Sequence, residues 1–67
     1  NRVELIGKQG TSITPLRPSG TIVIQNERLD VVTEGSYVDA SKTVEVVKVE
    51  GSRIVVREIQ EKGGEAL

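Results

Sequence analysis

Residues 44–56, VEVVKVEGSRIVV, carry apolar side chains on both faces of what reads as a hairpin. Val44 and Val46 share one parity, Val47 and Val49 the other, and Ile54, Val55 and Val56 run without a break. A strand with one wet face alternates strictly, because successive side chains point to opposite sides. Two situations relax that rule. A β-bulge near Val46–Val47 shifts the phase by one residue, and a strand turning a barrel corner changes which face is buried. Both imply strong curvature. A short curved sheet left open would expose unpaired edges, so closure into a small barrel is expected.

The remaining apolar residues agree. They are almost wholly aliphatic, with Val and Ile dominant, and β-branched side chains suit a pleated surface better than a helix. No window keeps an apolar i, i+3, i+4, i+7 pattern free of Gly, Pro or a β-branched run. Five strands are expected, over about 7–14, 20–25, 27–33, 43–50 and 53–59. TIVIQNERLDVV closes as a hairpin around Gln25-Asn26, since Asn tolerates positive φ, and it sets Ile22, Ile24, Leu29 and Val31 on one face. VEVVKVEGSRIVV turns at Gly51-Ser52. Between them, EGSYVDASK is too short and polar for a useful helix, and Tyr37 and Val38 are expected to fold inward as a lid. The domain spans 7–59, with a linker over 1–6 and a flexible tail over 60–67.

Composition excludes several chemistries. The 67-residue chain has no Cys and no His, which removes disulfides, thiolate metal sites and the usual general base. Ser41 and Lys42 are neighbours and point apart if extended, so they form no dyad. The acids lack the spacing of a calcium loop and interleave with Lys48, Arg53 and Arg57, as cross-strand charge pairs do. Gly7-Lys8-Gln9-Gly10 lacks the rest of a phosphate loop. Net charge is −1 and Tyr37 is the single aromatic residue, poor equipment for stacking nucleic-acid bases. A biotinyl- or lipoyl-like carrier shares the cadence of residues 34–51, yet such carriers present Lys at a hairpin tip, and neither tip here has one. No cofactor, metal or nucleic acid is expected.

TPLRPSG, residues 14–20, fits the spacing of a polyproline ligand. Its place between two strand-forming runs favours a stiff corner: each Pro fixes φ and extends its predecessor, Leu16 plugs the core, and Gly20 releases the chain into the second strand. Arg17 either holds that corner, bonding loop carbonyls or a carboxylate such as Asp30, or points outward to a partner.

These residues resemble the C-terminal domain of NfeD-like proteins, the stomatin operon partner family. The resemblance rests on Gly7, Gly10, Thr14, Leu16, Arg17, Pro18 and Gly20, then on Arg28-Leu29-Asp30-Val31-Val32, Glu34-Gly35 and Val46-Val47-x-Val49-Glu50-Gly51. It covers roughly Leu5 to Ile59. Ser12 stands where the family usually has Ala, Gln25-Asn26 replaces a frequent Asp-Gly turn, and Ser41 takes the place of a common loop Gly. The resemblance implies an OB-like, five-stranded, all-β barrel lacking the usual helix, tethered to membrane helices in its parent. It implies a non-catalytic interaction domain that acts beside a stomatin/flotillin-like membrane protein, or self-associates. Longer members carry a ClpP-like serine protease domain, none of whose catalytic residues falls here. Leu16, Arg17, Pro18 and Tyr37 are the candidate interaction or loop-structuring residues.

Overall fold

The computed structural model describes residues 2–59. Five strands lie among them, β1 (Gln9–Ser12), β2 (Ser19–Ile24), β3 (Glu27–Val32), β4 (Thr43–Glu50) and β5 (Arg53–Glu58), preceded by a 3₁₀ helix at Val3–Leu5. They close into a barrel in the order β1-β2-β3-β5-β4, with β1 returning to β4. Every pairing is antiparallel except β3 with β5, which is the order of an OB-like barrel. No α-helix occurs among the described residues.

The turns follow their residue types. Gln25 and Asn26 take φ of 50° and 69°, so both centres of the β2–β3 hairpin lie in the left-handed region, as a type I′ turn requires. Gly51 supplies the positive φ, 61°, of the β4–β5 turn. Ile22 faces Leu29 and Gly20 faces Val31 across the first hairpin, placing the expected four residues on one side.

The double parity of β4 is a bulge. Val46 pairs with Val56 and Lys48 with Val55, leaving Val47 unpaired in between. One extra residue turns Val47 outward and lets Val44, Val46 and Val49 all reach the core. In β5, Ile54 and Val56 belong to that core cluster, while Val55 does not. Val55 lies on the other parity, buried beside Lys48 and Val32 in the β3–β5 seam.

The largest differences from the expected boundaries lie near the N-terminus. The first strand is shorter than 7–14, because Gly7 turns at φ 90° and Ile13 and Thr14 both direct their N–H groups to the Thr21 carbonyl. Within the linker expected over residues 1–6, Val3–Leu5 form the 3₁₀ helix and Leu5 is buried in the core cluster. The Gly7 N–H bonds the Val46 carbonyl at 2.8 Å and the Val46 N–H bonds the Lys8 carbonyl at 3.0 Å, fastening this segment to β4 at the bulge. An inward Leu followed by a glycine turn reads locally as a loop; only the docking gives it a place in the barrel. The tail expected over 60–67 lies outside the described residues.

Arg2 clamps the same segment to the β2–β3 hairpin. Its guanidinium donates to both Glu27 carboxylate oxygens, at 2.8 and 3.2 Å, and to Glu4 at 2.8 Å. These hydrogen bonds hold the Glu27 and Glu4 carboxyls below the usual carboxylate range. Carboxyls that lose their protons more readily when folded stabilise the fold above that range, and the contribution disappears as pH falls through it. The pair is exposed, so the effect is small and screened by salt. Glu27→Gln should therefore shrink the loss of stability between neutral and acid pH, measured by urea denaturation at low salt. In the same assay at neutral pH, Leu5→Ala should cost about 2–5 kcal/mol as a core truncation, and Val3→Ala, at an exposed position, no more than about 0.5 kcal/mol.

Candidate functional site

Two loops meet at one end of the barrel, residues 13–18 between β1 and β2 and residues 33–42 between β3 and β4. They are zipped together by an antiparallel bridge between Leu16 and Val38. The Leu16 N–H donates to the Val38 carbonyl at 2.8 Å and the Val38 N–H returns to the Leu16 carbonyl at 3.1 Å. Both side chains turn inward, at 0% and 2% exposure. Leu16 is the expected plug, and Val38 is half of the expected lid.

Gly20 makes room for that plug. A Cβ there would lie 2.5 Å from the Pro15 carbonyl oxygen and 2.6 Å from Leu16 Cδ2. Its φ is not positive, so the role expected for it, releasing the chain, is replaced by close approach of the corner to β2. Thr14 ties the corner further, its Oγ1 accepting from the Thr21 N–H at 3.0 Å and donating to the Pro15 carbonyl at 3.1 Å. Pro18, joined to Arg17 by a cis peptide bond, accepts from the Thr33 N–H at 2.8 Å.

Sequence reasoning missed Ser12. Its hydroxyl is buried, donates to the Asp39 carbonyl at 2.7 Å and accepts from the Lys42 N–H at 3.0 Å. Its carbonyl accepts from the Ser41 N–H at 2.7 Å, which helps hold Ser41 at φ 67° where glycine is the easier residue. The available signal was a hydroxyl on the inward parity at the end of a strand. Thr33, also buried, is hydrogen-bonded through its hydroxyl to the Ser36 carbonyl. Side chain to backbone bonds thus stand in for the helix that this connection lacks.

The bridge decides where Arg17 and Tyr37 go. In an antiparallel register Leu16 against Val38 places Arg17 across from Tyr37. Because Leu16 and Val38 face inward, their neighbours face out. Tyr37 is 72% exposed, so the expectation that it lines the lid is corrected by this alternation. Arg17 is exposed as well, and among the described residues its side chain makes no hydrogen bond or ion pair. Asp30 instead accepts from the Thr21 hydroxyl at 3.3 Å. The barrel end therefore exposes a cation and the chain's single aromatic ring, one on each of the two bridged loops.

Among the described residues no group of three or more Asp, Glu, His or Cys could hold a metal ion. Both tight hairpin tips form as expected, and neither holds a lysine.

The family model for the NfeD-like C-terminal, partner-binding domain matches residues 2–58. This chain belongs to that family. It is 66% identical over 58 residues to Membrane protein NfeD1b of Bacillus subtilis (strain 168), covering 87% of the chain. The match spans only 13% of that relative's length. The fold of the C-terminal domain of stomatin operon partner protein 1510-C from Pyrococcus horikoshii superposes with a TM-score of 0.82 at 24% identity, over 91% of this chain and 97% of that one. The family match begins at residue 2, so it takes in the docked Leu5 segment. No helix among the described residues is long and apolar enough to cross a membrane.

Leu16→Ala should lower stability by about 2–5 kcal/mol, and Gly20→Ala should also destabilise because backbone and Leu16 must both shift. Tyr37→Ala should stay within about 0.5 kcal/mol. Thermal and urea unfolding of the three variants checks the order.

Proposed function

We propose that this domain is a non-catalytic docking module of a membrane protein, with the Arg17–Tyr37 end as its contact surface for a stomatin/flotillin-like partner. Membership of a partner-binding domain family carries the reading. The relative's name, Membrane protein NfeD1b, supports the membrane parent, and the stomatin operon partner likeness supports the class of partner. In a parent built like the longer family members, the domain would hold the protease beside its target.

The choice of surface follows from energetics. Arg and Tyr are over-represented where truncation costs most at interfaces, because each combines broad contact area with directed hydrogen bonds. An exposed aromatic adds nothing to the core, so the fold gains little by keeping it outside. The zip at Leu16–Val38 fixes both loops beforehand, and less ordering entropy is lost when a partner binds. An unpaired guanidinium favours a carboxylate on the partner.

Binding of the isolated domain to the soluble part of a stomatin-like protein should weaken about tenfold or more on Arg17→Ala or Tyr37→Ala. The melting temperatures should stay near the parent's. Titration calorimetry and melts on the same samples test both halves. A fall in melting temperature for Arg17→Ala would make that residue a structural brace instead. No binding at high micromolar concentration would reject the docking reading itself.

A further inference from the structure

The barrel has one weak seam. β3 pairs with β2 along its whole length, but with β5 only at Val32 opposite Val55. The phase of the β2–β3 ladder says which backbone groups face that seam. In a hairpin with a two-residue turn, the flanking residues Ile24 and Glu27 exchange both backbone bonds, and the pattern then alternates. Ile22–Leu29 and Gly20–Val31 follow in the same phase, and the Thr33 N–H to Pro18 carbonyl bond continues it. The N–H and C=O groups of Arg28, Asp30 and Val32 consequently point away from β2. Val32 meets β5. Arg28 and Asp30 meet no backbone partner among the described residues.

We propose that the bare stretch of β3 is a self-pairing edge, to which a second copy of this chain adds its own β3 antiparallel about a two-fold axis at Leu29. In that register Arg28 of each copy faces Asp30 of the other. Both residues carry outward backbone groups, so each Arg28–Asp30 pair exchanges its two backbone bonds, while the central Leu29 positions form the wide pair between them. Their side chains lie together on the outer face, cation opposite carboxylate, twice by symmetry. The alternatives fail on charge: an axis at Arg28 opposes two cations and an axis at Asp30 opposes two carboxylates. A one-residue slip turns the free backbone groups of one copy away from those of the other.

The seam also has the length. Centred on Leu29, the incoming strand begins at its Glu27 opposite Val31, one residue short of the Val32–Val55 bridge. A groove of about 390 Å³ lies at the Asp30 end of this stretch, lined by Ser19–Thr21, Asp30–Val32 and Ser52–Ile54. Charges on an edge strand ordinarily discourage pairing. Here their alternation makes the edge complementary to itself. The inference goes beyond partner docking and stands on residues other than Arg17 and Tyr37.

Sedimentation equilibrium of the 67-residue chain without any partner tests it. A reversible dimer that weakens with salt is expected. Arg28→Asp and Asp30→Arg, both at exposed positions, should each weaken dimerisation about tenfold or more with unchanged melts. The two single variants mixed together should dimerise with each other. One then brings only carboxylates to the two charged positions of the edge, and the other brings only guanidinium groups. The doubly exchanged chain should regain its own dimer. A chain monomeric at every concentration overturns the proposal. So does a dimer indifferent to the reversals, or a mixture of the two variants that fails to associate.

Discussion

The reciprocal backbone pair between Leu16 and Val38 is the contact on which this end of the barrel depends. A five-stranded barrel needs its open ends closed, and OB-like barrels ordinarily spend a helix there. This chain uses two loop residues instead. Leu16 fills the space, Val38 packs beside it, and the two backbone bonds cross-link loops that come from opposite halves of the sequence. Gly20 sits beneath because a side chain on that stretch of β2 would collide with the corner. Ser12 and Thr33 then satisfy backbone groups of the β3–β4 connection that a helix would have satisfied internally, and Thr14 ties the corner to β2. Remove the zip and these small polar bonds have no fixed frame.

On the proposed docking reading, the same contact links folding to function. Alternation about the bridge sends Leu16 and Val38 in, and it necessarily sends Arg17 and Tyr37 out, so one pair of backbone bonds positions the plug and the presented surface together. Sites on loops are usually limited by loop motion, and a scaffold that pins them from beneath removes part of that limit. In the proposed docking, a partner meeting Arg17 and Tyr37 would meet a surface whose geometry has already been set by the core.

The barrel is legible in the sequence because its signals are local. Val44, Val46, Val47 and Val49 show the change of phase through parity, which leaves a bulge or a barrel corner as its cause, and Gln25-Asn26 and Gly51-Ser52 mark their turns by residue type. Legibility ends where position depends on distant contacts. Leu5 looks like linker until it is seen under the bulge of β4, and Gly20 looks like a hinge until Pro15 is found above it. Amphipathic character alone puts Tyr37 in the lid, but its direction is fixed by the register of Leu16 against Val38, a long-range pairing that no local pattern encodes.

The bulge and the weak seam are connected by the same geometry. An extra residue at Val47 increases the twist of β4 and carries β5 with it. A strongly twisted β5 can meet β3 in a parallel ladder over only a short distance, here at Val32 opposite Val55. Burial of Val55 in that seam holds the closure by packing where hydrogen bonds are few. The bulge that lets Val44, Val46 and Val49 share one core thus goes with a β3 whose Arg28 and Asp30 have no ladder partner on the β5 side among the described residues. A small aliphatic barrel with no disulfide keeps its core by curvature, and the unpaired edge is the geometric consequence.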